Sequence, residues 1–403
     1  MKKLPRSIYA IAGVVVLLMA GIIYAWSVMA SVINRELNID QGSLSLTFTL
    51  VMITFCLGGL LGGIAGKKTS PRNLLWIAAI LFPMGLIISA YTNGVILLYL
   101  GFGIISGLGS GIAYNVIMST VSKWFPDKQG LISGILLMGF GLSSFIAGKL
   151  FVYMNPEGDV TSWRSAFKLF AIVIFVAMVI LSFFFVLPGE TVSGGAKKAG
   201  RQPALDIPAK KMMKHKSFLL YYLWAILTTG AGLTIVSQAS GMAKEVNGGL
   251  SAGTIATIVG ILAITNGLGR VIIGALFDKM SFNTVMIIDM ATFTISSAAL
   301  MVAVKNNSVV LLIIGFVLCG IAYGGVPTIN SAIISDFFGR TNFPLNYSIT
   351  NTNLIIASFA STIAGRLYDT KGTYFSVAVL MIIYVMLSVA VSLFIKRPDS
   401  TEV

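Results

Sequence analysis

Long apolar runs alternate with short polar breaks along this chain, and the runs set the expected architecture. At 1.5 Å rise per residue about 20 apolar residues cross the hydrocarbon core of a bilayer, so runs of about 18 or more predict transmembrane helices. Twelve runs qualify: 8–33, 43–66, 73–92, 95–121, 130–153, 166–187, 217–241, 252–277, 284–304, 308–334, 343–366 and 373–395. The first follows MKK and contains SVMA, the outline of a secretory leader, but it is too long for one and eleven more runs follow, so it reads as an uncleaved first helix. Residues 188–216 break the pattern with glycine, proline and clustered lysine, which predicts a flexible, basic cytoplasmic linker held near anionic lipid. The expected plan is an all-α integral membrane protein of twelve transmembrane helices, with bundles at 1–187 and 217–403 flanking the linker 188–216.

The two sets of six helices echo one another. GIAY occurs at 111–114 and again at 320–323, an offset of 209, and the first spans of the halves begin near 8 and 217, the same offset. Such duplication predicts two pseudo-symmetric halves, with a substrate site near the bilayer midplane, as in transporters built from internal repeats. LGGLLGGIAG at 57–66, GFGIISGLGSG at 101–111 and GFGLSS at 139–144 place small residues about one turn apart, which lets helices approach through their backbones.

Charge changes the picture in one respect. Of 403 residues 56% are hydrophobic and only 10% charged, yet the net charge is +14. In a soluble chain that excess would suggest nucleic acid; here its placement gives a membrane reading and no nucleic-acid partner. With the N-terminus inside, nineteen basic residues fall in cytoplasmic segments, seven of them in 197–216, and eight on the opposite side. This bias predicts a multi-pass protein of the cell membrane, an inner membrane in bacterial terms, with both termini cytoplasmic. Cys56 and Cys319 lie within spans as small packing residues, and His215, the single histidine, lies in the central loop, so no cofactor, metal cluster or histidine-based catalysis is expected.

Arg270 is the one basic residue left well inside a span, in ITNGLGRVIIGALFD, 264–278. A charge at that depth costs roughly 2.5 kcal/mol or more and normally faces protein or a water-filled cavity. It lies about 12 Å along the axis from Asp278, beyond easy reach of the interface. A guanidinium is always charged and offers two parallel donors to a carboxylate, which points to an anion site. The competing structural role is an ion pair, with Asp289 on the ninth helix as the nearest acid by depth, or a snorkelling anchor. Asn266 lies one turn before Arg270 and shares its face.

Two sets of residues resemble a known family. GALFDKM, 274–280, with Gly274, Asp278 and Lys279, resembles the short loop motif of the major facilitator superfamily, and GGIAGKKTSPR, 62–72, resembles the first copy with Gly66 where an acid is usual. GIAYNVIMSTVSKWFPDKQGLISGI, 111–135, together with YAW at 24–26 and NGLGR at 266–270, is similar to the oxalate/formate antiporter family and its monocarboxylate-transporter relatives. The resemblance implies the major facilitator fold and a gating role for the loop motif, and it implies a substrate carboxylate bound by the arginine of the eighth helix, here Arg270. It also brings in Tyr114 and Tyr323, equivalent by repeat on the fourth and tenth helices, Tyr24 on the first and Asn353 on the eleventh, each of which has packing as an equal alternative. Two departures bear on substrate. No lysine stands near Leu354 on the eleventh helix, where oxalate carriers are expected to have one, and Asn266 stands where animal-type monocarboxylate transporters have aspartate.

The sequence thus predicts a non-enzymatic, monomeric secondary transporter of a small carboxylate anion, best a monocarboxylate such as lactate, formate or pyruvate. Oxalate/formate exchange is the alternative, and a non-transporting nutrient sensor the alternative from another class. Whether a proton or a counter-anion is the coupling partner, symport or antiport, stays open; exchange becomes obligatory if the empty carrier cannot reorient. An intramembrane protease is disfavoured because GLGSG, 107–111, lacks the G-x-S-x-G order. A drug exporter of cations would need acids where this chain offers a cation.

Overall fold

The computed structural model describes residues 5–66, 68–125, 129–156, 159–186, 207–339 and 342–398, and they are helical with short connections. The helices are α1 (Arg6–Leu37, with a 3-10 stretch at Gly21–Ala25), α2 (Gln41–Ala65), α3 (Pro71–Ala90) and α4 (95–124, with a π-helical stretch at Tyr99–Ser106). They continue as α5 (Gln129–Tyr153), α6 (Trp163–Ser182), α7 (Lys216–Val246), α8 (Ala252–Lys279), α9 (Phe282–Lys305) and α10 (Val309–Phe338). Next come α11 (343–371, in three pieces) and α12 (Phe375–Ser392). Polar breaks between the runs double as caps. Asp40 accepts the Ser43 N–H at 2.8 Å, Ser70 and Ser281 accept from Asn73 and Thr284, and Pro71 occupies the first turn of α3.

Among the described residues eleven helices are long and apolar enough to cross a membrane. The eleventh expected span, 343–366, is instead Phe343–Asn351, Asn353–Ala357 and Phe359–Lys371. Its joints have a local cause. Thr352 Oγ1 donates to Ile349 O at 2.6 Å and Ser358 Oγ to Ile355 O at 2.8 Å, while the Thr352 N–H bonds three residues back to Ile349 O. Hydroxyls that take a carbonyl of the preceding turn bend a helix at that point.

The chain forms two compact units, Met1–Lys197 with Leu250–Ile264, and Lys198–Gly249 with Thr265–Val403. Most of the expected linker lies outside the described residues. Its end, 207–216, does not behave as a free tether: Ile207 is buried, its N–H bonds Phe338 O at 3.0 Å, Asn346 donates to its carbonyl at 2.9 Å, and Ala209–Met212 forms one helical turn. Apolar Ile207 and Met212 gain more by burial than a solvated tether would. His215 ends the segment as the cap of α7, accepting the Ser217 N–H at 3.2 Å.

In the first unit the π-helical stretch of α4 lies against α3 closely enough that a Cβ at Gly85 would stand 2.3 Å from Gly101 O. At one end of the same unit Glu36 accepts from Trp163 Nε1 at 2.7 Å and from Arg164 Nη2 at 2.8 Å, and Arg164 Nη1 also donates to Ala90 O at 3.1 Å. The pair ties α1, α3 and α6 together. Because it is partly exposed, Glu36→Gln is expected to cost on the order of 1 kcal/mol, read as a lower thermal unfolding midpoint of the detergent-purified protein. An unchanged midpoint would show that the pair contributes nothing net.

Candidate functional site

Arg270 sits on α8 between two close backbone approaches to α10. A Cβ at Gly269 would lie 2.1 Å from Ile321 O, and one at Gly324 would lie 2.0 Å from Asn266 O. Neither distance is attainable with a side chain present, so NGLG and YGG are read as the surfaces on which two helices meet. Thr328 Oγ1 donates to Arg270 O at 3.3 Å, fastening the same turn to α10. Pro327, within α10, has no N–H to offer the Tyr323 carbonyl four residues earlier, which loosens the helix beside this contact.

On that base the Arg270 side chain is oriented by its neighbour one turn back. Arg270 Nη2 donates to Asn266 Oδ1 at 3.2 Å; Asn266 is buried and Arg270 half-buried. The expectation that the two share a face is thus met. Tyr347, from the first piece of α11, interacts electrostatically with Arg270 and is hydrogen-bonded to the Asn351 side chain. The sequence reading singled out Asn353 on this helix and passed over Tyr347, which lies four residues before Asn351 and so on the same helical face. A guanidinium held by an amide at one nitrogen, with a phenol beside it, can meet a carboxylate with parallel N–H donors.

The competing alternative, an ion pair between Arg270 and Asp289, does not form. Neither Asp289 oxygen has a hydrogen-bond partner among the described residues, and the side chain is fully buried. The other expected site residues fall into separate settings. Tyr323 is 6% exposed and packs its ring against Gly232 of α7, where a Cβ would lie 2.2 Å from Tyr323 Cδ2. Asn353, buried, takes a long 3.5 Å bond from Thr229 Oγ1 of α7. In the first unit Tyr24 and Tyr114 both pack on Phe140, with ring centroids at 5.4 Å and 5.2 Å, and Phe55 closes the cluster 5.2 Å from Tyr114. Tyr24 is placed there because Gly21 lets α1 approach the Phe140 carbonyl and because Ser144 Oγ donates to Tyr24 O at 3.1 Å.

Of the loop motif, Gly274 lies against Thr328, with a Cβ there 3.2 Å from its Cγ2, and Lys279 is exposed; the Asp278 side chain lies outside what the structure describes. No group of three or more His, Cys, Asp or Glu residues that could hold a metal ion occurs among the described residues.

Several known proteins are similar to this chain in sequence or in fold. The oxalate:formate antiporter of Oxalobacter formigenes is 24% identical over 342 residues, 84% of this chain and 80% of that protein. Monocarboxylate transporter 13 of Rattus norvegicus is 23% identical over 323 residues, 79% of this chain and 71% of that protein. An uncharacterised transporter of Escherichia coli K12, YhjX, is 23% identical over 333 residues, 82% of this chain and 80% of its own. Among solved structures, the xylose transporter XylE from E. coli superposes with a TM-score of 0.71 at 16% identity, covering 98% of this chain and 99% of that one, a likeness of fold. The Major Facilitator Superfamily profile matches residues 10–352 and 239–403. With helices of membrane-spanning length through both units and a family match across nearly its whole length, this chain belongs to the Major Facilitator Superfamily and is a multi-pass membrane transporter rather than an enzyme.

Proposed function

We propose that this transporter moves small monocarboxylate anions, such as lactate, formate or pyruvate, by alternating access between two six-helix halves, 1–187 and 217–403, with the carboxylate paired to Arg270. The observation that carries the reading is the geometry at Arg270. Its fork is held from one side by Asn266, and its backbone is locked against α10 by Gly269 and Gly324. Asp289 makes no hydrogen bond to it, and a carboxylate arriving at the guanidinium would bring the opposite charge in the geometry its parallel donors favour. The similar oxalate:formate antiporter and monocarboxylate transporter 13 support the carboxylate class. The neutral Asn266 and Tyr347 stand beside this cation, which suits a single carboxylate better than two. The bias of basic residues supports placing both termini in the cytoplasm.

Uptake of labelled lactate into proteoliposomes, challenged with unlabelled anions, tests the substrate class. Unlabelled formate and pyruvate are expected to compete at concentrations about tenfold or more below that needed for oxalate, because a second carboxylate has no cation to meet and loses its hydration. The similarity to the oxalate:formate antiporter favours one second reading, exchange of oxalate for formate; oxalate competing best would select it.

A further inference from the structure

The residues that lead into α7 form a pinned strap where the sequence suggests a loose tether. Ile207 and Met212 are buried, and the backbone between them and α7 turns tightly. The Met213 N–H bonds Ala209 O at 3.0 Å, the Lys214 N–H bonds Lys211 O at 3.1 Å and the His215 N–H bonds Met212 O at 2.9 Å. Both ends of the strap meet the end of α10. The Ile207 N–H bonds the Phe338 carbonyl, and the rings of His215 and Phe218 lie 6.1 Å and 6.0 Å from the Phe338 ring. Asn346 donates to Ile207 O at 2.9 Å, so the strap is also tied to the first piece of α11.

Pinning gives the turn two faces. Ala209 and Met212, three apart, are buried, while Lys210, Lys211, Met213 and Lys214 are exposed, and so is Lys216 at the start of α7. Four lysines within the seven residues 210–216 are thus presented outward from a fixed backbone. No acid answers them. None occurs in the sequence between Ile207 and Lys244, and among the described residues none pairs with these lysines. Asp336, near the end of α10, pairs instead with Arg397 at 3.0 Å. Like charges held this close repel, and an anion among them relieves the repulsion.

Depth identifies the anion. Leu219 and Leu223 are exposed, apolar and one turn apart on α7, which suits a face turned to hydrocarbon. Lys216 precedes Leu219 by three residues, about 4.5 Å along the axis. The lysines therefore stand just beyond the apolar face, at the level of lipid headgroups, with exposed Met213 among them to enter the boundary. Clusters of about four or more basic residues beside a span attract anionic lipid. We propose that Lys210, Lys211, Lys214 and Lys216 form a docking surface for the headgroups of anionic phospholipids, and that lipid seated there keeps the strap against α10 and α11. Recognition is by charge and depth, and it is independent of the transported substrate.

Hydrogen exchange of the full-length protein in lipid nanodiscs tests this. In wild type the amides of 207–216 are expected to exchange about fivefold or more slowly in discs containing phosphatidylglycerol than in discs of phosphatidylcholine alone. Lipid that binds only the docked strap suppresses its opening in proportion to occupancy, and each lysine near an anionic surface strengthens binding about fivefold. Raising salt to about 0.5 M should remove the difference, since exposed charges are then screened. The combined variant Lys210→Gln, Lys211→Gln, Lys214→Gln and Lys216→Gln should lose the slowing, whereas arginine at the same four positions, which keeps the charge, should retain it. Equal exchange of the wild-type strap in the two lipids overturns the proposal, as does slowing that survives in the glutamine variant. Soluble glycerol phosphate that protects the strap as strongly as phosphatidylglycerol would assign the surface to a free phosphate and sink the lipid reading.

Discussion

Arg270→Lys is expected to lower initial uptake of labelled lactate into proteoliposomes by about thirtyfold or more, and Arg270→Gln to abolish it, if the proposed anion pairs with Arg270, since truncating one partner of a desolvated charge pair costs on the order of 2–5 kcal/mol. Lysine keeps the positive charge, so charge alone predicts a mild effect. The structure predicts a severe one for a geometric reason. Arg270 Nη2 is committed to Asn266 Oδ1, which fixes the plane of the guanidinium and hence the direction of its remaining donors. An ammonium on a flexible stem has no plane to fix, and it is more strongly hydrated, so it gives up water at greater cost. The expected pattern is a loss in transport with little change in thermal unfolding, the combination that separates a substrate contact from a structural one. Equal uptake by wild type and Arg270→Lys would make the arginine structural and end the reading of this site.

The second large effect is on folding. Gly324→Val is expected to remove most folded protein from detergent extracts, with a cost above the roughly 1–3 kcal/mol usual for overpacking, because the clash is with backbone. A Cβ at 324 would stand 2.0 Å from the Asn266 carbonyl, and α8 cannot retreat without breaking its reciprocal approach at Gly269 to Ile321. Gly94→Ala is the control: nothing lies within 4 Å of a Cβ there. Size-exclusion chromatography of the two variants separates the cases. A monodisperse Gly324→Val with wild-type unfolding would mean that α8 and α10 do not need this contact.

Span positions were legible because a bilayer imposes one requirement on every crossing helix, length of apolar chain, and that requirement is written directly in the residues. The breaks in α11 were not, because Thr352 and Ser358 are ordinary uncharged residues until their hydroxyls are seen to take the carbonyls of Ile349 and Ile355. At the candidate site, Arg270 stood out as a charge in an apolar run, and Asn266 followed from helical spacing. Tyr347 did not, since a tyrosine in a membrane span is common and only the packing of α11 brings it to α8. Asp289 entered as the alternative partner of Arg270 from depth alone; depth does not report direction, and the carboxyl lies against Gly325 of α10. Ile207 was hidden by its setting among lysines and prolines, where one buried apolar residue leaves no periodic trace.

The jointed form of α11 has a mechanical consequence. In a continuous helix, bending strips a carbonyl of its amide partner and bares it to hydrocarbon, where nothing replaces the bond. At Ile349 and Ile355 the replacement is already in place, supplied by the hydroxyls of Thr352 and Ser358, so the rod can flex at two knuckles with its backbone still satisfied. The piece bearing Tyr347 and Asn351 is thus joined to the piece ending at Lys371 through two points where a change of angle leaves no carbonyl bare.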